Sequence, residues 1–440
     1  MFCNQCEQTA HGQACVDTGV CGKDPDVQSL QEILLYGLKG MASYAHHARR
    51  LDMVDEEVDA FMEEALFATV TNVNFDMESL FELVMECGMK NLRAMQMLDE
   101  GHVKRFGPPS PSTVFEGTKP GPGVLITGHD MVDLADLLKQ TAGTGVNVYT
   151  HGEMLPAHMY PELRKHKHLV GHFGGAWQKQ KTEFASFSGA VLATTNCVLI
   201  PPDSYKDRLF TTRVTAVPGG KRLKTNDFSA VIAKAKQCDP LPDHPVGNST
   251  VGFHHTVILG IADHIVGAVK ARKLSHFFLI GGCDGAEPGR NYFSRFAQST
   301  PADSIILTLG CGKYRIRDYD YGTIQLADGV TVPRLLDMGQ CNDSYGAIQV
   351  AVALSKAFGC SVNDLPLTIV LSWFEQKAVA VLLTLLALGV KGIRICPAAP
   401  TFISPNVMRV LQDKFDLRLT NSGPYAEVVS VKPAGARGNA

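Results

Sequence analysis

Four cysteines near the start of the chain are the residues best suited to chemistry. They follow the spacing C-x2-C-x8-C-x5-C and are Cys3, Cys6, Cys15 and Cys21. The sequence between them has too few apolar residues to fold around a core of its own, so something else must hold the thiols together. Soft thiolate ligands favour iron–sulfur, zinc or copper(I) over calcium or magnesium. We interpret the motif as a metal site with iron as the metal, and a disulfide framework is the alternative.

The composition of the whole chain argues against that alternative. Twelve cysteines in 440 residues are too sparse for a secreted disulfide scaffold. A hydrophobic fraction of 45% and a charged fraction of 19% are ordinary for a protein with a large core. The net charge of −3 and the absence of lysine- or arginine-rich runs give no basic surface for nucleic acid.

A second set of potential metal ligands follows short apolar segments that are typical of strands. It comprises an imidazole, two carboxylates and four thiols: His129, Glu153, Cys197, Cys283, Cys311, Cys341 and Glu375. Ligands of open parallel sheets bind beyond the carboxyl ends of the strands. One cysteine at such a position is usually an inert buried residue, but four at equivalent positions favour a shared centre. The mixed donors suit a cluster that combines sulfide-bridged iron with harder, oxygen-type ligation.

The other cysteines and histidines lack this context. We interpret four cysteines as structural: Cys87, Cys238, Cys360 and Cys396. We interpret six histidines as surface or capping residues: His46, His47, His166, His168, His254 and His255.

The elements that must position these residues change type along the chain. From Leu30 to about Arg105, apolar residues recur at helical spacing and predict a bundle of about three helices. The segment 107–123 is rich in proline, glycine and serine and predicts a domain boundary. Beyond it, strands alternate with helices, and the segment around 238–248 is rich in turn residues.

We therefore predict a multidomain α/β fold, in which an N-terminal helical bundle precedes two doubly wound (Rossmann-like) parallel-sheet domains. The predicted domains are residues 1–115, which include the cysteine motif, 116–245 and 246–440. The longest apolar run, Ala378 to Val390, is shorter than the ~20 residues that span a bilayer and predicts a buried helix. With no signal peptide pattern before Cys3, we expect a cytoplasmic protein. The sequence contains no glycine-rich phosphate-binding motif, so we do not expect a bound nucleotide.

Eight short motifs together resemble the hybrid-cluster protein (prismane) family, in the family's order and along essentially the whole chain. They are MFCNQCEQT…GVCGK, ITGHD, THGEMLPAH, TTNC, GGCDG, GCGKYR, GQCNDSYGA and SWFEQKA. The resemblance implies two iron–sulfur clusters. A [4Fe-4S] cluster would be bound by Cys3, Cys6, Cys15 and Cys21. A hybrid [4Fe-2S-2O]-type cluster at the domain interface would be bound by His129, Glu153, Cys197, Cys283, Cys311, Cys341 and Glu375.

The resemblance also implies roles for single residues. Cys283 corresponds to a cysteine that bears a persulfide in relatives, and Lys377 to a lysine linked to proton donation or substrate contact. Relatives have tyrosine where this chain has Phe374, so a role of that hydroxyl is not expected here. The chain is shorter than the commoner members between the cysteine motif and ITGHD, as in the family's short class, and one helical bundle is expected to be missing.

The function implied by the resemblance is reduction of hydroxylamine to ammonia and water. Electrons would pass inward through the N-terminal cluster, and Glu375 with Lys377 would deliver protons. A separate reductase would supply the electrons, because no flavin or ferredoxin domain is fused to the chain. The alternatives are reduction of nitric oxide to nitrous oxide at the same site, a nickel-dependent activity like that of carbon monoxide dehydrogenase, a redox or nitrosothiol-transferring regulatory protein, and a plain zinc module.

Overall fold

A computed structural model describes residues 1–372, 375–395 and 398–420. These residues form two compact units. The first unit contains residues 1–101, 276–279 and the described part of 354–440, and the second contains residues 102–275 and 280–353. The division into domains 1–115, 116–245 and 246–440 stays a prediction. Phe374 and Cys396, which the sequence analysis singled out, lie outside the described residues.

The bounds of the α-helices are α1 (Pro25–Arg49), α2 (Glu56–Ala68), α3 (Met77–Phe106), α4 (Met131–Thr141), α5 (Pro161–Arg164), α6 (Gln180–Ser186), α7 (Ser229–Gln237), α8 (His255–Gly260), α9 (Ala262–Lys270), α10 (Tyr292–Gln298), α11 (Ser344–Phe358), α12 (Gln376–Ala387) and α13 (Pro405–Phe415). The bounds of the strands are β1 (Ser112–Thr118), β2 (Gly123–Thr127), β3 (Asn147–His151), β4 (Leu169–His172), β5 (Ala190–Ala193), β6 (Leu209–Thr212), β7 (Lys221–Leu223), β8 (His244–Val251), β9 (His276–Gly282), β10 (Ser304–Leu309), β11 (Thr323–Ala327), β12 (Val330–Pro333), β13 (Leu335–Asp337), β14 (Leu367–Ser372), β15 (Arg394–Ile395) and β16 (Arg418–Leu419).

The first unit contains the predicted helices α1, α2 and most of α3. Asp24 caps α1 by accepting hydrogen bonds from the backbone N–H groups of Asp26 (2.9 Å) and Val27 (2.8 Å), and Pro25 occupies the first helical position. Asp55 caps α2 in the same way. The helical prediction for this region is therefore confirmed, and local sequence signals are sufficient to explain where these helices begin.

The apolar run that was predicted to form a buried helix is α12, in the same unit. Buried residues of α12 pack close to α1 and α3 at glycines of those helices. A Cβ added to Gly40 would lie 2.5 Å from the Gln376 carbonyl oxygen, and one added to Gly88 would lie 2.3 Å from that of Leu383. The buried Asn91 amide donates to the Thr384 hydroxyl at 2.9 Å. Small residues thus allow the helix backbones to approach.

Strands β14, β15 and β16 lie side by side in the first unit, and the pairs β14–β15 and β15–β16 are parallel. The first four residues of β9 belong to this unit and adjoin β14, where the Phe277 N–H donates to the Pro366 carbonyl at 2.8 Å. The last three residues of β9 belong to the second unit, in which β10 adjoins β9 and pairs in parallel with β13.

The second unit is built on an eight-stranded sheet with the order β7-β6-β5-β2-β3-β4-β1-β8. Its pairs are parallel except for β1–β8, which is antiparallel. The chain runs from β2 outward through β3 and β4 and then returns to the other side of β2 at β5. This reversal is the topological switch point of a doubly wound sheet. The mixed α/β fold with parallel, doubly wound strands is therefore confirmed.

Two stretches that were interpreted as boundary or turn sequence contain strands. The proline- and glycine-rich segment 107–123 includes β1, and the turn-rich segment 238–248 leads into β8. The two strands pair along their whole length, from Ser112 opposite Val251 to Thr118 opposite His244. Their pairing is specified by residues more than a hundred positions apart, which local turn signals do not report. Residues 255–270 form two helices, α8 and α9, which are separated at Ile261.

Along the described residues, no helix is both long enough and apolar enough to cross a membrane.

Candidate metal centre

The cysteine motif in the first unit is organised by a short backbone pairing. Cys3 and Cys15 exchange two hydrogen bonds, of 3.1 and 2.8 Å. Cys15 is buried, while Cys6 and Cys21 are half-buried. The backbone N–H of Ala10 donates to the Cys15 Sγ at 3.4 Å. This hydrogen bond is the largest of the effects that lower the pKa of the Cys15 thiol, so the segment favours the thiolate form that binds metals.

The second unit places the predicted strand-end residues beyond the carboxyl ends of its strands. His129 follows β2 and Cys197 follows β5, so these two residues lie at the switch point of the sheet. Glu153 follows the neighbouring β3. Cys283, Cys311 and Cys341 follow β9, β10 and β13 in the same way.

Three of these side chains converge closely. The ligand atoms of His129, Glu153 and Cys341 all lie within 4.8 Å of one another, and all three residues are buried. The His129 Nε2 lies 3.9 Å from the Glu153 Oε2. That oxygen also accepts a hydrogen bond of 2.9 Å from the backbone N–H of Cys341. An imidazole, a carboxylate and a thiol therefore face one buried point.

Thr195 orients the imidazole in this group. Its hydroxyl accepts a hydrogen bond of 3.0 Å from the His129 backbone N–H and lies 2.8 Å from the His129 Nδ1. Because Nδ1 is engaged with Thr195, Nε2 is the nitrogen that faces Glu153. A ligating histidine commonly has its second nitrogen held by such an outer partner, which fixes the ring and its tautomer. Gly128, with φ +107°, allows this approach, since a Cβ there would lie 2.7 Å from the Thr195 hydroxyl.

Gln340 holds together the loops that carry the converging residues. Its buried side-chain amide donates to the Glu153 carbonyl at 2.6 Å and to the His129 carbonyl at 3.3 Å. Gln340 immediately precedes Cys341, so the three loops are fixed relative to one another.

The remaining predicted thiols of this unit lie outside the 4.8 Å group but share its surroundings. A Cβ on Gly310 would lie 2.8 Å from the Gly282 carbonyl oxygen, so the loops that carry Cys311 and Cys283 touch through their backbones. The Trp177 indole N–H donates to the Cys283 carbonyl at 3.4 Å.

Cys197 has an uncommon backbone conformation. Its φ of +65° lies in the left-handed region, which residues with a Cβ seldom occupy. The Asn196 amide donates to the Cys197 Sγ at 3.4 Å, and the Gln180 amide donates to the Cys197 carbonyl. Strained backbone of this kind concentrates at functional sites, where the surrounding contacts hold it.

The electrostatics of these residues favour the protonated thiol unless a positive centre is present. Burial raises the pKa of the Cys311 thiol well above its usual range, and the negative charges of Glu153, Cys197 and Cys341 raise it further. Several buried acidic groups cannot ionise together in a water-poor site unless a cation compensates them. A set of thiols with an imidazole and a carboxylate fits an iron-containing cluster, which deprotonates its thiol ligands on binding.

Glu375 and Lys377 belong to the first unit. Glu375 occupies the N-cap position of α12, and the ammonium of the buried Lys377 lies 3.9 Å from its carboxylate. A carboxylate at this position is stabilised by the positive end of the helix dipole.

A group of buried histidines that was not predicted lies at or shortly after the ends of β3 and β4. Thr150 lies 3.0 Å from both His158 and His172, and the Tyr314 hydroxyl donates to the Gly152 carbonyl at 2.7 Å. Burial lowers the pKa of His158 to about 4 and that of His172 well below its usual value. Both histidines are therefore neutral at pH 7.

His151 is a further member that was not predicted. Its Nδ1 lies 3.0 Å from the Thr127 hydroxyl and its Nε2 lies 2.9 Å from the Glu183 carboxylate. Burial opposes ionisation of Glu183, but His151 and the Gly175 N–H outweigh it and lower the Glu183 pKa. The signal for His151 and His172 was present, because NVYTH and LVGH end in histidine as VLITGH does.

The residues interpreted as structural fall into several environments. Cys87 is buried, and burial raises the pKa of its thiol to about 12, as expected of an inert thiol. Cys238 and Cys360 are half-buried. His254 caps α8, since its Nδ1 accepts a hydrogen bond of 3.4 Å from the Thr256 N–H.

The fold and the strand-end residues define an α/β protein with buried side chains of the types that ligate metals. A model of the Prismane/CO dehydrogenase family matches residues 1–83 and 76–425. The chain belongs to this family, and the resemblance drawn from the eight motifs is confirmed.

Several relatives share one name. A hydroxylamine reductase of Moorella thermoacetica is 59% identical over 95% of this chain and 97% of its own. One of Thermotoga maritima is 47% identical over 98% of this chain and 99% of its own. The match to a hydroxylamine reductase of Geobacter metallireducens, at 42% identity over 95% of this chain and 97% of its own, extends over 536 positions. That exceeds the 440 residues here, so this relative has a segment that the present chain lacks.

Solved structures show the same fold at low sequence identity. Carbon monoxide dehydrogenase IV from Carboxydothermus hydrogenoformans has a TM-score of 0.75 at 13% identity, over 98% of this chain and 91% of its own. A nickel-free carbon monoxide dehydrogenase from Thermococcus sp. AM4 also has a TM-score of 0.75, at 15% identity, over 97% of this chain and 89% of its own. At these identities the likeness concerns the fold alone.

Proposed function

We propose that this chain is a hydroxylamine reductase. The reaction adds two electrons and two protons to NH2OH, breaks its N–O bond and releases ammonia and water. The observation that carries the proposal is the convergence of a buried imidazole, carboxylate and thiol, His129, Glu153 and Cys341, within 4.8 Å. It occurs in a chain that is 59% identical over nearly its full length to a protein of that name.

Two iron–sulfur clusters are part of the proposal. A [4Fe-4S] cluster is assigned to Cys3, Cys6, Cys15 and Cys21. A hybrid [4Fe-2S-2O]-type cluster is assigned to His129, Glu153, Cys197, Cys283, Cys311, Cys341 and Glu375, with Cys283 as the persulfide candidate. The clusters would supply electron transfer and an iron site that binds the small substrate.

The chain's own residues prepare the centre. Thr195 and Gln340 hold the ligand-bearing loops, so the donors need little reorganisation when iron binds. The burial of His129, Glu153 and Cys341 excludes bulk water from their common point. Glu375 and Lys377 are the proposed proton donors. Their charged groups lie 3.9 Å apart, so one group can replace a proton that the other has donated.

The proposed partners are the small nitrogenous substrate and a separate reductase that supplies electrons. The cytoplasmic location and the absence of nucleic-acid and membrane partners stay predictions.

The proposal is tested on protein purified without oxygen, by iron and labile-sulfide content and by hydroxylamine-dependent oxidation of a reduced viologen. We expect Glu153→Gln to lower turnover at least tenfold and to lower the iron content, because it removes a ligand charge. Glu162→Gln, at an exposed carboxylate of the same unit, is the matched control. Wild-type protein that contains iron but reduces nitric oxide and not hydroxylamine would contradict the proposal in favour of nitric oxide reduction.

A second variant tests Glu375, which is proposed both as a cluster ligand and as a proton donor. Glu375→Gln is expected to lower turnover about 10²–10⁴-fold, the usual contribution of general acid–base catalysis, while the N-terminal cluster keeps its EPR signal. Glu78→Gln, at an exposed carboxylate of α3, should leave turnover unchanged. Full activity of Glu375→Gln would remove Glu375 from the proposed mechanism.

A further inference from the structure

A lysine is buried beside the N-terminal cysteine motif. Lys23 is 3% exposed, and its Nζ donates to the Cys3 Sγ at 3.7 Å. The ammonium therefore contacts a sulfur of the Cys3–Cys15 backbone pairing.

Two glutamines hold the ammonium in place. The Lys23 Nζ donates to the Gln28 Oε1 at 3.0 Å and to the Gln31 Oε1 at 2.7 Å. Each amide is turned toward the lysine by a second bond, because Gln28 donates to Glu32 at 2.9 Å and Gln31 donates to the Asn74 carbonyl at 2.9 Å. The three donor hydrogens of the ammonium thus have three acceptors: two amide oxygens and one sulfur.

Neither amide carries a charge that could neutralise the lysine. Within the described residues, the hydrogen-bond partners of the Lys23 Nζ include no carboxylate. Burying an ammonium without a counter-ion is costly. Of the three acceptors, only the Cys3 sulfur can carry a negative charge.

We propose that Lys23 is a positioning residue that raises the reduction potential of the iron–sulfur cluster bound by the cysteine motif. This inference rests on the proposed function, which assigns that cluster. Reduction adds one electron to a centre that its thiolates already make negative. A buried ammonium beside it stabilises the reduced state more than the oxidised state, and net charge and hydrogen bonds to sulfur are established determinants of such potentials. Lys23 would thereby favour electron entry from the external donor.

The test is a redox titration of the whole protein, in which the EPR signal of the reduced N-terminal cluster is measured at each potential. Lys23→Met keeps the length of the side chain and removes its charge. We expect the midpoint potential of Lys23→Met to be lower by at least 59 mV. For one electron, this shift is a tenfold change in the equilibrium constant of reduction. Lys23→Arg should retain most of the wild-type potential. Lys39→Met, at an exposed lysine of α1, should leave it unchanged.

A second variant keeps the test decisive if Lys23→Met does not retain its iron. Gln31→Glu leaves Lys23 in place and puts a carboxylate at an atom that lies 2.7 Å from Nζ, so it should lower the potential in the same direction. Unshifted potentials in the variants that hold the cluster overturn the inference and leave the proposed function intact. Wild-type protein without iron at the cysteine motif would contradict the cluster assignment itself and the inference with it.

Discussion

Single hydrogen bonds decide how well the candidate centre is prepared for a metal. His129 presents Nε2 toward Glu153 because Thr195 engages both its backbone N–H and its Nδ1. The Glu153 carboxylate is in turn held by the Cys341 N–H. These contacts connect loops that follow different strands, so the protein itself orients the candidate ligands.

Removal of the Thr195 hydroxyl should therefore weaken the centre without removing a ligand. We expect Thr195→Val to lower iron affinity or hydroxylamine turnover about 10–100-fold, the usual cost of losing an outer partner of a ligating histidine. Iron content per chain and turnover are the measurements. Thr331→Val, at an exposed threonine of β12, is the control, and equal iron content and activity in both variants would contradict the role of Thr195.

The buried His158 predicts a pH dependence of stability. Its folded-state pKa of about 4 lies below the usual 6.5, so the unfolded chain binds more protons than the folded chain between these values. The free energy of unfolding should therefore fall as the pH decreases through this window, by ~2 kcal/mol between pH 7 and pH 5 from this group alone. Urea unfolding at several pH values measures it. His158→Gln should flatten the dependence, and an unchanged slope would refute the assignment.

At the level of elements, the position of α12 depends on glycines in the neighbouring helices. The first turn of α12 carries Lys377, and Glu375 occupies the N-cap position of this helix. Gly40 of α1 faces the Gln376 carbonyl, and Gly88 of α3 faces that of Leu383. The same close packing that buries α12 therefore positions the proposed proton donors.

A methyl group at Gly40 should disturb this packing. The added Cβ would lie 2.5 Å from a backbone carbonyl oxygen, which cannot move without shifting α12. We expect Gly40→Ala to destabilise the protein by ~1–3 kcal/mol and to lower turnover with iron retained. Gly267→Ala, in α9 with nothing within 4 Å of the new Cβ, should be neutral or stabilising. Thermal unfolding compares the two, and similar melting temperatures would contradict the argument.

At the level of the whole molecule, the proposed metal binding should be coupled to folding stability. The second unit buries His129, Glu153, Cys311 and Cys341 near one another, and in the absence of a cation their acidic groups must stay protonated or repel. Ligands that bind the folded chain in preference to the unfolded chain stabilise it. The stability of this protein should therefore depend on its iron.

Removal of iron by an anaerobic chelator should lower the unfolding temperature, and reconstitution with iron and sulfide should restore it. In Glu153→Gln the difference between metal-free and metal-loaded protein should shrink, because one buried acidic group is absent. Differential scanning calorimetry under nitrogen is the measurement. An unfolding temperature that does not change on iron removal would contradict this prediction. It would show that the buried acidic groups do not destabilise the folded protein when no cation is bound.

Local patterns in the sequence were sufficient to predict most elements. The helices α1, α2 and α3, the buried α12, and the placement of His129, Glu153 and Cys311 directly after strands follow from periodicity, capping residues and glycine turns, all of which act over a few positions. The family also followed from the sequence, because its motifs are short and contiguous.

What only the tertiary structure decided was which of several similar residues meet. His129 and His172 both end apolar runs, yet His129 lies beside Glu153 and Cys341 while His172 contacts Thr150 and Tyr314. The β1–β8 pairing in segments interpreted as boundary and turn sequence was likewise decided at that level. These outcomes depend on contacts between residues that lie far apart in the chain. Strand order and loop packing determine which residues meet, and the local sequence does not specify either of them.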